Sequence, residues 1–123
     1  MSRRTERISE QVRAELARLL REETTDPRLG LVTLTRVDVS PDLRNARVYW
    51  SRMDVTVSAE EAAAAALATE EGLESAAGFL RRGLARVLHL KRVPELHFRH
   101  DPSLALGTDT LSLLREIQDG PGE

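Results

Sequence analysis

Residues 31–51 read LVTLTRVDVSPDLRNARVYWS, two runs rich in β-branched and aromatic residues with a proline between them. Val, Thr, Tyr and Trp fit a pleated, half-buried surface, so 31–39 and 45–51 are predicted strands. The intervening SPDLR supplies Pro41, whose ring presets φ for a turn, and Asp42, whose carboxylate can accept from a nearby backbone amide. An antiparallel hairpin is therefore expected, with Arg44 and Arg47 at its tip and just beyond.

Upstream, Ile8, Val12, Leu16, Leu19 and Leu20 recur at helical spacing, with Arg and Glu on the other side, which predicts an amphipathic helix over 5–23. It should stop near TTDPRLG, because Pro27 has no amide proton and disfavours helical backbone at Asp26. Downstream, Ser58 and Glu61 satisfy the capping-box pattern, so a second helix should begin near Ala59. Its body, EEAAAAALATEE, has high helix propensity but offers a core little beyond Ala and Leu67.

Helical character continues through ESAAGFLRRGLARVLHL to His89 or Leu90. An unbroken helix of that length would be about 46 Å long. The expected radius of gyration of such a chain is only about 14 Å, so a straight helix would overhang its core and a bend is expected. Gly72, Gly78 and Gly83 are candidates, with Gly78 dividing the acidic, Ala-rich half from the basic, Leu-rich half. VPELHFRHDP then predicts a third strand ending at Asp101 and Pro102. The helical crossover before it implies a parallel pairing and a right-handed connection. TDTLSLLREIQ, with a Thr108 or Asp109 cap, predicts an accessory helix before a frayed tail. The order is αββααβ plus that helix: one α+β domain, with a core of 5–104 and an accessory segment of 105–123.

Composition narrows the chemistry. With 123 residues and no cysteine, the chain has material for one core, and disulfides and thiolate sites are excluded. The charged N-terminus lacks the apolar region of a signal peptide and no run is long enough to span a membrane, so a cytoplasmic protein is expected. His89, His97 and His100 have no ligand spacing for a metal, no serine sits in a nucleophile elbow, and neither GxxxxGK nor GxxG occurs. No enzyme activity, cofactor or metal is expected.

Charge is segregated although its net value is −2. Asp54 to Glu74 holds six acids and no Lys or Arg, whereas Ser75 to His100 holds Arg81, Arg82, Arg86, Lys91, Arg92 and Arg99 against Glu95 alone. On a helical wheel Leu80, Leu84, Val87 and Leu88 share one side, and Arg82, Ala85, Arg86 and His89 the other, with Arg81 flanking. Such a face suits RNA phosphates, Lys91 and Arg92 extending the track, with Arg44 and Arg47 as secondary contacts and Arg3, Arg4 and Arg7 as further candidates. The alternatives are solvated helix faces paired with the acids of 54–74, and a module that docks another protein.

Taken together, DPRL at 26–29, VTLTRVDVSPDLRNARVYWS at 32–51, AAGFLRRGL at 76–84 and VPELHFRHDPSL at 93–104 resemble the ribosome-binding factor A family. The resemblance implies a KH-like fold of type II, with a three-stranded mixed sheet and helices on one face. It also implies an Ala-x-Gly interhelical kink in place of GxxG, here Ala76, Ala77 and Gly78. It further implies a monomeric, non-catalytic factor that binds the immature 30S subunit and its 16S rRNA during late maturation and rRNA processing, and supports adaptation to cold. Ribosomal proteins or other assembly factors are further partners it would allow.

Overall fold

Residues 3–52, 58–90 and 92–101 are described by the structure, a computed structural model. The first helix, α1, spans Arg3–Glu22 and buries the stripe of Ile8, Val12, Leu16, Leu19 and Leu20. Thr24 Oγ1 donates to the Leu20 carbonyl at 2.8 Å, closing the helix end. Asp26 then caps a 3-10 turn, Pro27–Leu29, accepting from the Arg28 amide at 2.9 Å and from Arg28 Nε at 3.0 Å. The Arg28 guanidinium and amide together hold the Asp26 carboxyl below its ordinary value of 3.8.

Strands β1 (Val32–Val39) and β2 (Asn45–Arg52) form the antiparallel hairpin, and β3 (Glu95–His100) pairs in parallel with β2 in the order β1-β2-β3. A bulge between Leu34 and Arg36 resets the alternation, so that Leu34, Val37 and Val39 all reach the core. Ala46, Val48 and Trp50 from β2, with Leu96 and Phe98 from β3, complete that face, and Trp50 stacks on His100 at 4.4 Å. The opposite face carries Arg36, Asp38, Arg47, Tyr49, His97 and Arg99, none of them buried.

Helix α2 opens as expected: Ser58 Oγ accepts from the Glu61 amide at 3.1 Å and the Ser58 amide donates to Glu61 Oε1 at 3.2 Å. The expected division into two helices is not found. A single helix runs Ala59–Val87, so the order is αββαβ, and Ala76, Ala77 and Gly78 lie inside it. At about 1.5 Å per residue its length is roughly 43 Å. Its N-terminal end is uncovered, residues 59–64 all being exposed. Ala and Glu need no cover there, and the helix propensity of the alanine run outweighs a glycine cost of about 1 kcal/mol. Val87, expected on the core side, is 45% exposed because it forms the last turn. The accessory C-terminal helix and Lys91 lie outside the described residues.

The glycines of α2 have different uses. A Cβ on Gly78 would meet only Arg82 Nη1, at 3.4 Å, whereas one on Gly83 would lie 2.6 Å from Leu19 Cδ1. Gly83 is therefore where α2 crosses α1 at close approach, and Leu19, with no exposed surface, has little room to yield. At the other end, Thr69 Oγ1 accepts from Arg52 Nη1 at 2.6 Å and donates to the Arg28 carbonyl at 3.1 Å, tying α2 to the end of β2 and to the 3-10 turn.

Gly78→Ala should stabilise the fold by about 0.5–1 kcal/mol through helix propensity. Gly83→Ala should destabilise it by about 1–3 kcal/mol through overpacking. Urea unfolding of the two variants checks both signs.

Asp26 gives a pH dependence with a definite sign. Its folded pKa is depressed, so its contribution is complete above the unfolded value and is lost as pH falls through the folded one. Asp26→Asn keeps a capping oxygen but removes the charge. The wild type should exceed this variant in denaturation midpoint at neutral pH, and the gap should narrow as pH falls below the ordinary carboxylate range.

Candidate nucleic-acid interface

Three segments meet at the end of the sheet where the hairpin turns. The turn is built by short polar groups: Ser40 Oγ donates to Asp42 Oδ1 at 2.6 Å and accepts from the Asn45 amide at 3.1 Å. Asp42 Oδ1 also accepts from the Arg44 amide at 3.0 Å, and the Ser40 hydroxyl and this amide lower the carboxyl's pKa. Leu43 sits at φ 61°, a conformation that costs a branched residue about 1–2 kcal/mol. Its side chain packs on the core, which offsets that cost and leaves the flanking Arg44 facing outward.

The segment entering β3 joins this end directly. The Glu95 amide donates to the Arg44 carbonyl at 2.8 Å. Arg81 reaches across from α2, donating from Nε to the Pro94 carbonyl and from Nη2 to the Val93 carbonyl, each at 3.0 Å. Arg81 is half-buried and holds this segment in place, a role that helical spacing did not suggest.

The other predicted site residues divide into two groups. Arg44, Arg47 and Arg92 are exposed at the hairpin end, Arg44 lying 3.9 Å from Asp42 and the other two having no polar or ionic partner among the described residues. Arg82 and Arg86 lie exposed on α2, away from that group. Arg86 is 3.5 Å from Glu23, just past the end of α1, so the acid it meets is not one of those at 54–74. Arg82 bends back over Gly78.

Arg47 also belongs to the open face of the sheet, in register with Asp38 and His97. Beside it Arg36 stacks over the Tyr49 ring at 4.4 Å and pairs with Asp38 at 3.1 Å. Sequence reasoning passed over Arg36 and Tyr49; the outward alternation of 47 and 49 could have found Tyr49, but the bulge hides the register of Arg36. Among the described residues no group of three or more His, Cys, Asp or Glu is placed to hold a metal ion.

A mixed three-stranded sheet, helices on one face only, and a cationic edge where the hairpin turns define a KH-like α+β module. The comparisons with known proteins are specific. A family model for ribosome-binding factor A matches residues 4–114. The chain is 42% identical to ribosome-binding factor A of Pseudomonas syringae over 96% of its length and 87% of that protein's. It is 46% identical to that of Thermomicrobium roseum over 95% and 85% respectively. This chain belongs to the ribosome-binding factor A family.

Solved structures agree on the fold. The crystal structure of ribosome-binding factor A from Thermus thermophilus matches with TM-score 0.64 at 24% identity, over 85% of this chain and 98% of that one. A solution structure of a Thermotoga maritima protein described as a putative ribosome-binding factor A matches with TM-score 0.61 at 28% identity, over 89% and 93%. A third match, TM-score 0.58 at 27% identity over 77% and 92%, is a homology model of the Thermus thermophilus factor fitted into a cryo-electron-microscopy map of its complex with the 30S subunit.

Arg81→Ala should destabilise the fold by about 1–2 kcal/mol, through loss of two charged hydrogen bonds to partly buried carbonyls. Arg82→Ala should change stability by less than about 0.5 kcal/mol. Denaturant unfolding separates the structural arginine from the available one.

Proposed function

We propose that this protein binds the immature small ribosomal subunit through its 16S rRNA during late maturation and rRNA processing, as a non-catalytic, monomeric, cytoplasmic factor that supports growth in the cold. The observation that carries the reading is the convergence of Arg44, Arg47 and Arg92 at one end of the sheet. Arg47 and Arg92 have no partner among the described residues, and Asp42, the acid nearest Arg44, is committed to the turn. Guanidinium groups placed this way supply forked donors for phosphate oxygens. Family membership supports the ribosomal target, as does the related factor fitted into a 30S complex. Arg82, Arg86 and Lys91 would extend the contact, while Arg81 would act by holding the segment that carries Arg92.

One observation favours a second reading, docking of a ribosomal protein or another assembly factor. Leu67 is 58% exposed on the overhanging half of α2, beside alanines that allow close approach. Binding to 16S rRNA stripped of protein separates the two: retained affinity supports the RNA reading, and affinity only for protein-bearing subunits supports the second.

Replacing Arg47 and Arg92 together with Ala should weaken binding to stripped rRNA. The slope of log affinity against log salt should fall by about 1.5, as expected for two lost phosphate contacts. A folded double variant with unchanged affinity and slope would overturn the assignment.

A further inference from the structure

We infer that the RNA-binding surface continues past the hairpin onto α1, and that Arg3, Arg4 and Arg7 bind the phosphate backbone of the same RNA. The inference rests on the RNA-binding reading above and adds a contact surface to it. Its basis is a juxtaposition of segments. The Val39 amide, at the end of β1, donates to Ser9 Oγ at 2.9 Å, which pins α1 against the strand just before the turn. Six residues of α1 precede Ser9, so the helix projects about 9 Å beyond this contact, toward the end of the sheet that carries Arg44, Arg47 and Arg92. Thr5, Ile8 and Val12 face inward, which leaves Arg3, Arg4 and Arg7 exposed.

The local electrostatics are unfavourable for a free protein. Arg3 and Arg7 are four residues apart and Arg4 and Arg7 three, so their side chains crowd as like charges on one face. They also stand at the positive end of the helix dipole. None of the three has a hydrogen-bond or ion-pair partner among the described residues. Glu6 is the acid within this turn, and Glu10 is already paired with Arg13. Farther along the helix the arginines are neutralised: Arg13 by Glu10, Arg18 by Glu15, Glu22 and Glu23, and Arg21 by Glu22. The contrast within one helix marks the N-terminal group as a surface for an external polyanion. Together with the hairpin and the segment before β3, it forms one cationic end contributed by three stretches distant in sequence.

The test is titration of 16S rRNA stripped of protein across a range of salt concentrations, using the full chain. The triple variant Arg3→Ala, Arg4→Ala and Arg7→Ala should bind more weakly and lose about 2–3 in salt slope, whereas Arg21→Ala, at the far end of the helix, should leave the slope unchanged. The triple variant should also melt no lower than the wild type at low salt, which excludes loss of folding as the cause. A wild-type slope in the triple variant, with Arg47→Ala/Arg92→Ala still lowering it, would overturn this inference alone. Equal loss in Arg21→Ala would reduce the effect to net charge and overturn it too. Absence of salt-dependent rRNA binding by the wild type would refute the underlying reading as well.

Discussion

The close crossing of α2 over α1 at Gly83 and Leu19 is the constraint on which the rest of this structure depends. A methyl group on the Gly83 Cα would stand 2.6 Å from a leucine carbon that is itself fully buried, so any larger residue must displace Leu19. That contact sets how deeply α2 sits, and with it the places where Leu73, Leu80 and Leu84 meet the sheet. The Thr69 hydroxyl, between Arg52 and the Arg28 carbonyl, fixes the same helix a second time, near the far end of β2. A helix held at two points delivers the chain to β3 in one register. That register places Glu95 against Arg44 and opens the basic segment toward the hairpin.

Much of this was readable from the residues. The β-branched runs, Pro41 and the capping box are local signals whose physics needs no partner, and each gave its element to within a few residues. The parallel strand followed from connectivity alone. Chain length pointed to two helices where one element runs Ala59–Val87, because a length estimate presumes that every turn of a helix is covered. Alanine and glutamate tolerate water, so residues 59–64 extend without support. Gly78 marks where the charge pattern changes, while the tightly packed glycine is Gly83; which glycine meets a neighbour is a tertiary fact.

The basic site was legible as composition but not as geometry. The run from Arg81 to Arg92 looked like one cationic track along a helix. The structure divides it into Arg81 bound to carbonyls 12 and 13 residues downstream, Arg86 beside an acid just past the end of α1, and Arg92 in a different segment altogether. Helical periodicity carries no information about partners that distant. Beside the apolar packing of Ile8 and Val12, the Ser9 hydroxyl joins α1 to the hairpin end by meeting a strand-end amide 30 residues away, a contact that no sequence pattern announces.

The overhanging half of α2 has a consequence for how the molecule meets a polyanion. The N-terminal half of α2 carries Glu60 and Glu61 on the overhang and Glu70, Glu71 and Glu74 beyond it, and its anchor at Thr69 lies at the end of the sheet opposite the hairpin. Acidic and basic poles are therefore separated by more than the screening distance of about 8 Å at physiological ionic strength. Each pole acts on its own surroundings without being cancelled by the other. A polyanion approaching the acidic arm would be repelled and one approaching the arginine end attracted, which would bias the rotational search during an encounter toward one orientation. An exposed arm of this charge can thus favour one docking orientation through repulsion alone.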